Sequence, residues 1–389
     1  MMTIHAVGVT LRRARCRLAL ITCAAAALVP QAAWAYSITG TYYNSGTWND
    51  SLYIMTTGRF INLDGGVVDS SGVTNAGILE NRLSGIILNR TRLMNAVVDG
   101  RQVLYNWGTI DSTGTALLDN YGTLYNYAGA TLQTAAGVKT TNFGHINNAG
   151  SYSNRGSYEQ TWANVTGAPA RKLVNSGTLG NTGSMSIGIN TALENSGTFS
   201  NAGSLGSLTL NLSNSGTWIN SGTLQVTGST ASGTSGAARF TNTGSLTNTG
   251  AVTNFDGTLR NYGQWVNDGT VSNTTSNYIG DWGRFTNYAG ASLVNHGTFS
   301  TNHVLDNAGS ITNTGTLSAS YRLNNLAGGT LTSAAGAAIQ GATYNHGTLD
   351  NQGSIAFVDN HGVFNNLAGA SQHNSVLINR CLLYTSRCV

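Results

Sequence analysis

The sequence predicts an all-β fold: a right-handed parallel β-helix (solenoid) of roughly 19–20-residue coils, preceded by a signal peptide. Three observations lead there. In Leu173–Leu224 the unit Asn-x-Gly-Thr/Ser-apolar recurs after six residues, and the whole pattern restarts at Asn175, Asn195 and Asn214. A fixed period of about 20 residues marks a repeat architecture. Within Asn175–Ile189 the odd positions are mostly Asn, Gly and aliphatics, and the even positions are small or polar. That alternation belongs to strands with one buried face. The composition agrees: 50 Gly, 2 Pro and 9 % charged residues, yet 40 % hydrophobic residues. A disordered chain lacks apolar side chains, whereas this one places them at regular positions.

Residues 1–35 read as a secretory signal peptide. Arg12, Arg13, Arg15 and Arg17 form the basic start, and Leu18–Val29 is an apolar run of 12. Such a run is too short to span a bilayer comfortably. Ala33-Trp34-Ala35 fits the small-x-small cleavage rule, so Tyr36 would be the first mature residue. No later apolar stretch is long enough to cross a bilayer as a helix, so no membrane helix is expected in the mature chain.

Residues 36–105 are expected to form an N-terminal cap with irregular first coils, because a repeat stack needs an atypical end to cover its first edge. Residues 106–379 are the repeat body, roughly 15–17 coils of three short strands at about 4.8 Å spacing. The inserted stretches Glu159–Lys172 and Gly228–Arg239 read as loops between coils. Asn175, Asn195 and Asn214 should stack inward as an amide ladder, with Leu179, Phe199 and Trp218 stacked beside them. The Asn-x-Gly steps would supply the bends, since both residues tolerate positive φ. A longer form, as in Asn126–Leu132, Asn287–Leu293 and Asn325–Leu331, adds two residues. An even insertion keeps each Leu on the inward face. Residues 380–389 share nothing with the repeats, and the chain is expected to be truncated near Asn379.

Outside the leader and tail the body carries 13 Lys/Arg against 15 Asp/Glu. That balance argues against nucleic acid as a partner, which needs a basic face. Cys16, Cys23, Cys381 and Cys388 all lie near the ends, so no disulfide or Cys-based metal site supports the body.

The pattern Asn-x-Gly-Thr-Leu-x-Asn-x-Gly-Ser-Leu-x-Leu in Leu173–Leu224 resembles the repeats of filamentous haemagglutinin-type adhesins. It is also similar to autotransporter passenger domains. The similarity covers about Asn106–Asn366. It implies a β-helix exported by a Gram-negative bacterium, outer-membrane export machinery as a partner, and a cell-surface or extracellular adhesin. It departs from those families in lacking Asn-Pro-Asn motifs and a following run of barrel strands.

Few residues suggest chemistry. Polysaccharide lyases and hydrolases also use β-helices, and their sites cluster carboxylates with bases over neighbouring coils. Asp99, Arg101 and Asp119, with Asp111 nearby, are the best such candidates, Asp119 lying one nominal coil after Asp99. No motif for nucleophilic catalysis or phosphate binding is present. No cofactor is implied. His296, His346 and His361 occupy the variable position of Asn-x-Gly, outward and far apart in coil number, so no metal site is expected. Thr241-Asn-Thr243, Thr247-Asn-Thr249 and Thr312-Asn-Thr314 are too irregular for an ice-binding array. The aromatics say more. Tyr105 and Trp107 lie one nominal coil before Tyr125 and Tyr127 and should form two outward stacks, with Tyr121, Tyr262 and Tyr288 at related positions. Such ladders either bind glycans or surface receptors or simply pack across coils. The resulting expectation is a non-enzymatic surface adhesin or passenger that displays binding surfaces on a rigid rod. A β-helical polysaccharide-degrading enzyme and a purely structural matrix protein are the alternatives.

Overall fold

The computed structural model describes residues 35–96, 102–161, 171–188, 191–207, 211–226, 239–253, 258–272, 284–372 and 377–380. The leader, Asp99, Arg101, Pro169, Asn254 and the final nine residues therefore lie outside the described residues, as do residues 162–170 and 228–238 of the two inserted loops. No helix occurs among the described residues. None is long and apolar enough to cross a membrane.

Every described element is a short strand, most of four residues, paired in parallel with the equivalent strand of the next coil. The chain is a parallel β-solenoid with three strands per coil. The described residues up to Glu159 form one compact unit, and those from Lys172 onward a second. In the first unit, the first strands of successive coils are Thr41–Asn44, Arg59–Asn62, Ile78–Asn81, Val103–Asn106, Thr123–Asn126 and His145–Asn148. The second strands run from Thr47–Trp48 to Ser151–Asn154, and the third strands include Ser51–Ile54, Arg92–Asn95 and Leu117–Asn120. The second unit repeats the scheme, its described second strands numbering ten between Thr178–Asn181 and Val363–Asn366. Within residues 36–96 the strands pair in the same parallel manner as the later coils. Tyr36, Tyr42 and Trp48, one from each strand type, form the first described layer: Trp48 meets Tyr36, Tyr42 and Phe60 edge-on, and Tyr42 stacks on Phe60.

Alternation sets the inside. In Thr178–Asn181 and its partners, Leu179 pairs with Phe199 and Phe199 with Trp218, all at most 1 % exposed. Edge-to-face contacts then cross the core between strand types, from Phe199 and Trp218 to Phe240, Trp265, Phe285 and Phe299. Among the described residues, the indole N–H groups of Trp218 and Trp265 have no hydrogen-bond partner. Burial of the large rings offsets that cost of about 1–3 kcal/mol each. In the longer turns Leu132, Leu293 and Leu331 stay buried, as an even insertion requires.

The inward amides form continuous ladders. In the second unit, Nδ2 of Asn175 donates to Oδ1 of Asn195 and Asn195 to Asn214, each at 2.7 Å. The chain of bonds continues through Asn242, Asn261, Asn287, Asn307, Asn325, Asn345 and Asn360 to Asn379. A second ladder ends the second strands from Asn181 to Asn313. In the first unit the ladders end the first strands (Asn44 to Asn148) and the third strands (Asn75 to Asn142). The other amide hydrogen is also used: Asn214 donates to the Ser245 carbonyl at 3.0 Å. A buried amide is tolerated when its hydrogen bonds are made, and here the neighbouring coil makes them.

The glycine of Asn-x-Gly needs a different explanation from the expected one. Among the described glycines, positive φ occurs in the longer turns, as at Gly129, Gly290 and Gly328, and at Gly341 where the register shifts within Ala338–Asn345. In the short turns the reason is proximity. A Cβ on Gly197 would fall on the carbonyl oxygen of Gly177, one on Gly216 on that of Gly197, and one on Gly244 on that of Gly216. The chain bends there because nothing larger than hydrogen fits between coils.

Asn214→Ala removes the acceptor of Asn195 Nδ2 and should cost about 1–3 kcal/mol. Gly216→Ala should also lower the urea midpoint, while the exposed Ser186→Ala should stay within about 0.5 kcal/mol. Chemical denaturation followed by circular dichroism measures all three. In the first unit Tyr152 and Tyr158 are each 1 % exposed, and burial pushes both phenols well above their usual value of 10.0. The folded state therefore holds these protons after the unfolded chain would release them. Their contribution is intact below about pH 10 and is lost as pH rises, at about 1.4 kcal/mol per pH unit for each group. Melting temperature should fall steeply above about pH 10, and less steeply in a Tyr152→Phe/Tyr158→Phe variant.

Candidate functional site

On the first unit the outward side chains of the first strands form ordered columns. Register places Tyr43, Ile61, Glu80, Tyr105, Tyr125 and Asn147 in one line. Ser45, Leu63, Arg82, Trp107, Tyr127 and Ala149 follow the terminal asparagines. The backbone N–H of Leu63, Arg82, Trp107, Tyr127 and Ala149 donates to the Asn carbonyl one coil back. Two columns thus run side by side along the coil axis.

The structure brings Tyr105, Trp107, Tyr125 and Tyr127 together. Trp107 and Tyr127 stack at 4.5 Å with their planes 4° apart, and Tyr105 and Tyr125 stack at 5.5 Å. Tyr105 lies 5.6 Å from Trp107, and Tyr125 6.0 Å from Tyr127. Near-parallel rings on successive coils spend their faces on one another and turn their edges outward. The block is therefore first a packing device. Burial raises the Tyr127 phenol, as do Tyr105, Tyr125 and Glu80 in that order.

One face of Trp107 meets the Arg82 guanidinium, 5.2 Å from the ring. Arg82 is fixed by Glu80 at 2.7 Å. Glu80 is only 3 % exposed and also accepts from Arg59 Nε at 2.6 Å. Beyond Arg82 its column shrinks through Leu63 to Ser45, and a groove of about 680 Å³ opens there. Ile61, Leu63, Leu83 and Tyr43 give it apolar walls, and Trp107 closes one end. Ser45, Asp64 and Arg82 supply the polar groups. Tyr43 and Leu83 are 57 % and 73 % exposed. A concave apolar wall with a few convergent polar groups is the usual form of a small-ligand site.

Of these residues only Trp107 stands out in the sequence. Tyr43, Leu83 and Arg82 fall in the segment assigned to a cap. The signal that could have found them is the Asn44, Asn62, Asn81 series, whose steps of 18 and 19 residues already continue the repeat.

Other candidates separate. Asp119 pairs in register with Met94, not Asp99, because the coil between them is 25 residues long. It is bound by Arg92 Nε at 2.9 Å. Asp111 lies on a second strand opposite Leu88. The histidines also depart from expectation. His346 and His361 sit on consecutive coils and stack at 4.7 Å, because the coil between them is short. His361 Nε2 lies 3.3 Å from Asp359, and His296 bonds Thr314. Among the described residues no three His, Cys, Asp or Glu side chains gather as metal ligands. Thr247 and Thr312 share a column, but Val266 and Val294 lie between them. Tyr121 stacks on Phe143, and Tyr262 on Tyr288.

Compared with known proteins, the sequence matches no family model and no curated protein. The fold itself defines a class, that of parallel β-solenoid repeat proteins.

A double-mutant cycle on Trp107→Ala and Tyr127→Ala should give a coupling of about 0.5–1.5 kcal/mol in unfolding free energy. A coupling near zero would mean that the stack is incidental.

Proposed function

We propose that this protein is an exported surface adhesin or passenger whose solenoid displays a carbohydrate-binding groove at Tyr43–Trp107. The observation that carries this reading is the groove, in which the exposed Tyr43 and Leu83 converge with Asp64, Ser45 and Arg82. Sugars offer an apolar face and a rim of hydroxyls. Leu63 and Leu83 suit the face, the edge of Trp107 bounds the end of the groove, and Asp64, Ser45 and Arg82 suit the rim. The coil axis runs along the groove, so an extended oligosaccharide can lie across several coils. The basic leader with its apolar run and Ala33-Trp34-Ala35 supports export.

Binding fits the groove better than hydrolysis. Glycoside hydrolysis ordinarily needs two carboxyl groups facing the bond. Among the described residues Asp64 is the one carboxylate lining this groove, and Glu80 is held by two guanidiniums.

A glycan array probed with the full chain should show selective binding to a small set of oligosaccharides. Trp107→Ala and Asp64→Asn should each weaken it at least tenfold while leaving the circular dichroism unchanged. Retained affinity in both variants would remove the groove from the binding site. Release of reducing ends from the bound glycan would favour the enzyme instead.

A further inference from the structure

Among the described residues, the second unit gathers most of its charge on one strand type. Among the described residues its third strands carry no charged side chain, and its second strands carry only Asp350. The first strands carry Lys172, Glu194, Arg239, Arg260, Arg284, Asp306, Arg322 and Asp359. Register resolves this set further. Arg239 pairs with Thr258 and Thr258 with Arg284, while Thr241 pairs with Arg260 and Arg260 with Thr286. Three consecutive coils therefore each present one guanidinium. Arg322 follows two coils later, opposite Val304.

Asp306 is the one acid on the described first strands from Arg239–Asn242 to Arg322–Asn325. It is 3 % exposed and fully engaged, accepting from Arg284 Nε and from Asn324, each at 2.7 Å. Among the described residues, the ion pairs of the second unit include none made by Arg239, Arg260 or Arg322. Two aromatic features flank the strip. Tyr262 and Tyr288 stack at 3.9 Å, close enough to Arg260 and Arg284 for both guanidiniums to act on the Tyr288 phenol. Arg322 lies 5.5 Å from the ring of Tyr321, which is 56 % exposed.

We propose that this strip binds a linear, uronate-bearing acidic polysaccharide laid along the coil axis, at a site separate from the groove of the first unit. Guanidinium groups match carboxylates as planar, two-pronged donors. Coils rise by about 4.8 Å, close to the length of one extended pyranose, so Arg239 and Arg260 meet neighbouring uronates and Arg322 meets one farther along, while Arg284 is held by Asp306. Thr258 lies between Arg239 and Arg284 on one column, and Thr241 and Thr286 flank Arg260 on the other, where their hydroxyls can meet the sugar rings. A single-stranded nucleic acid fits less well, because it needs free aromatic faces for its bases. Tyr262 and Tyr288 spend theirs on each other.

The test uses the full chain with immobilised polygalacturonate and its neutral methyl ester. Binding is expected to the acid and not to the ester. It should weaken roughly tenfold between about 50 and 150 mM NaCl, as neutralisation of two or three charges requires. The Arg239→Gln/Arg260→Gln/Arg322→Gln variant should lose at least tenfold with an unchanged circular dichroism spectrum. If that variant fails to fold, Arg260→Gln and Arg322→Gln singly should each lose about threefold. Equal binding to the ester, or undiminished binding by these variants, overturns the proposal. So does oligothymidylate that binds more tightly than polygalacturonate and is lost in the same variants, which would assign the strip to nucleic acid.

Discussion

The amide ladder is the constraint from which the rest of the structure follows. An inward Asn side chain would be costly alone, because its donors and acceptor would be buried without partners. It becomes stable when another Asn stands at the same height one coil away, as Asn175, Asn195 and Asn214 do. That requirement fixes the register of every coil against the next. Leu179, Phe199 and Trp218 then align without further instruction, since side chains alternate with period two. The glycines complete the arrangement by letting the turns approach more closely than any Cβ permits.

Much of this was legible because period and parity are written directly in the chain. The Asn positions gave the coil, and the even insertions in Asn126–Leu132 and its relatives placed their leucines correctly. What failed was arithmetic that assumed a constant coil. Successive ladder asparagines lie 25 residues apart at Asn95 and Asn120 but only 15 apart at Asn345 and Asn360. The first case sets Met94 opposite Asp119, and the second brings His346 onto His361. The groove was hidden for a related reason. Its walls come from four coils, and Tyr43, Leu63, Leu83 and Trp107 become neighbours only once every register is known. No local pattern marks such a set. The role of the short-turn glycines was also unreadable locally, because their φ is ordinary and the atom that excludes a Cβ belongs to another coil.

Charge shows the same limit. Thirteen basic and fifteen acidic residues in the body suggest a nearly neutral surface. The solenoid sorts them by strand type, and buried acids such as Glu80 and Asp306 are engaged by arginines of the same or the adjacent coil. A surface of nearly balanced composition can thus carry a locally basic strip. Composition limits what a protein binds only after the fold has said which charges share a face.

The connections between strands differ in freedom. From first to second strand the chain has two or four residues, as between Asn175 and Thr178 or Asn287 and Ser292. From third strand to the next first strand it has two residues between Thr301 and Val304 but twelve between Val226 and Arg239. Phe240 nevertheless pairs with Leu212 in unbroken register. The entropy of closing a loop grows only slowly with its length. This corner is therefore where the lineage can lengthen, shorten or exchange segments without disturbing the coil, and where an engineer could graft a foreign peptide with the least penalty to folding.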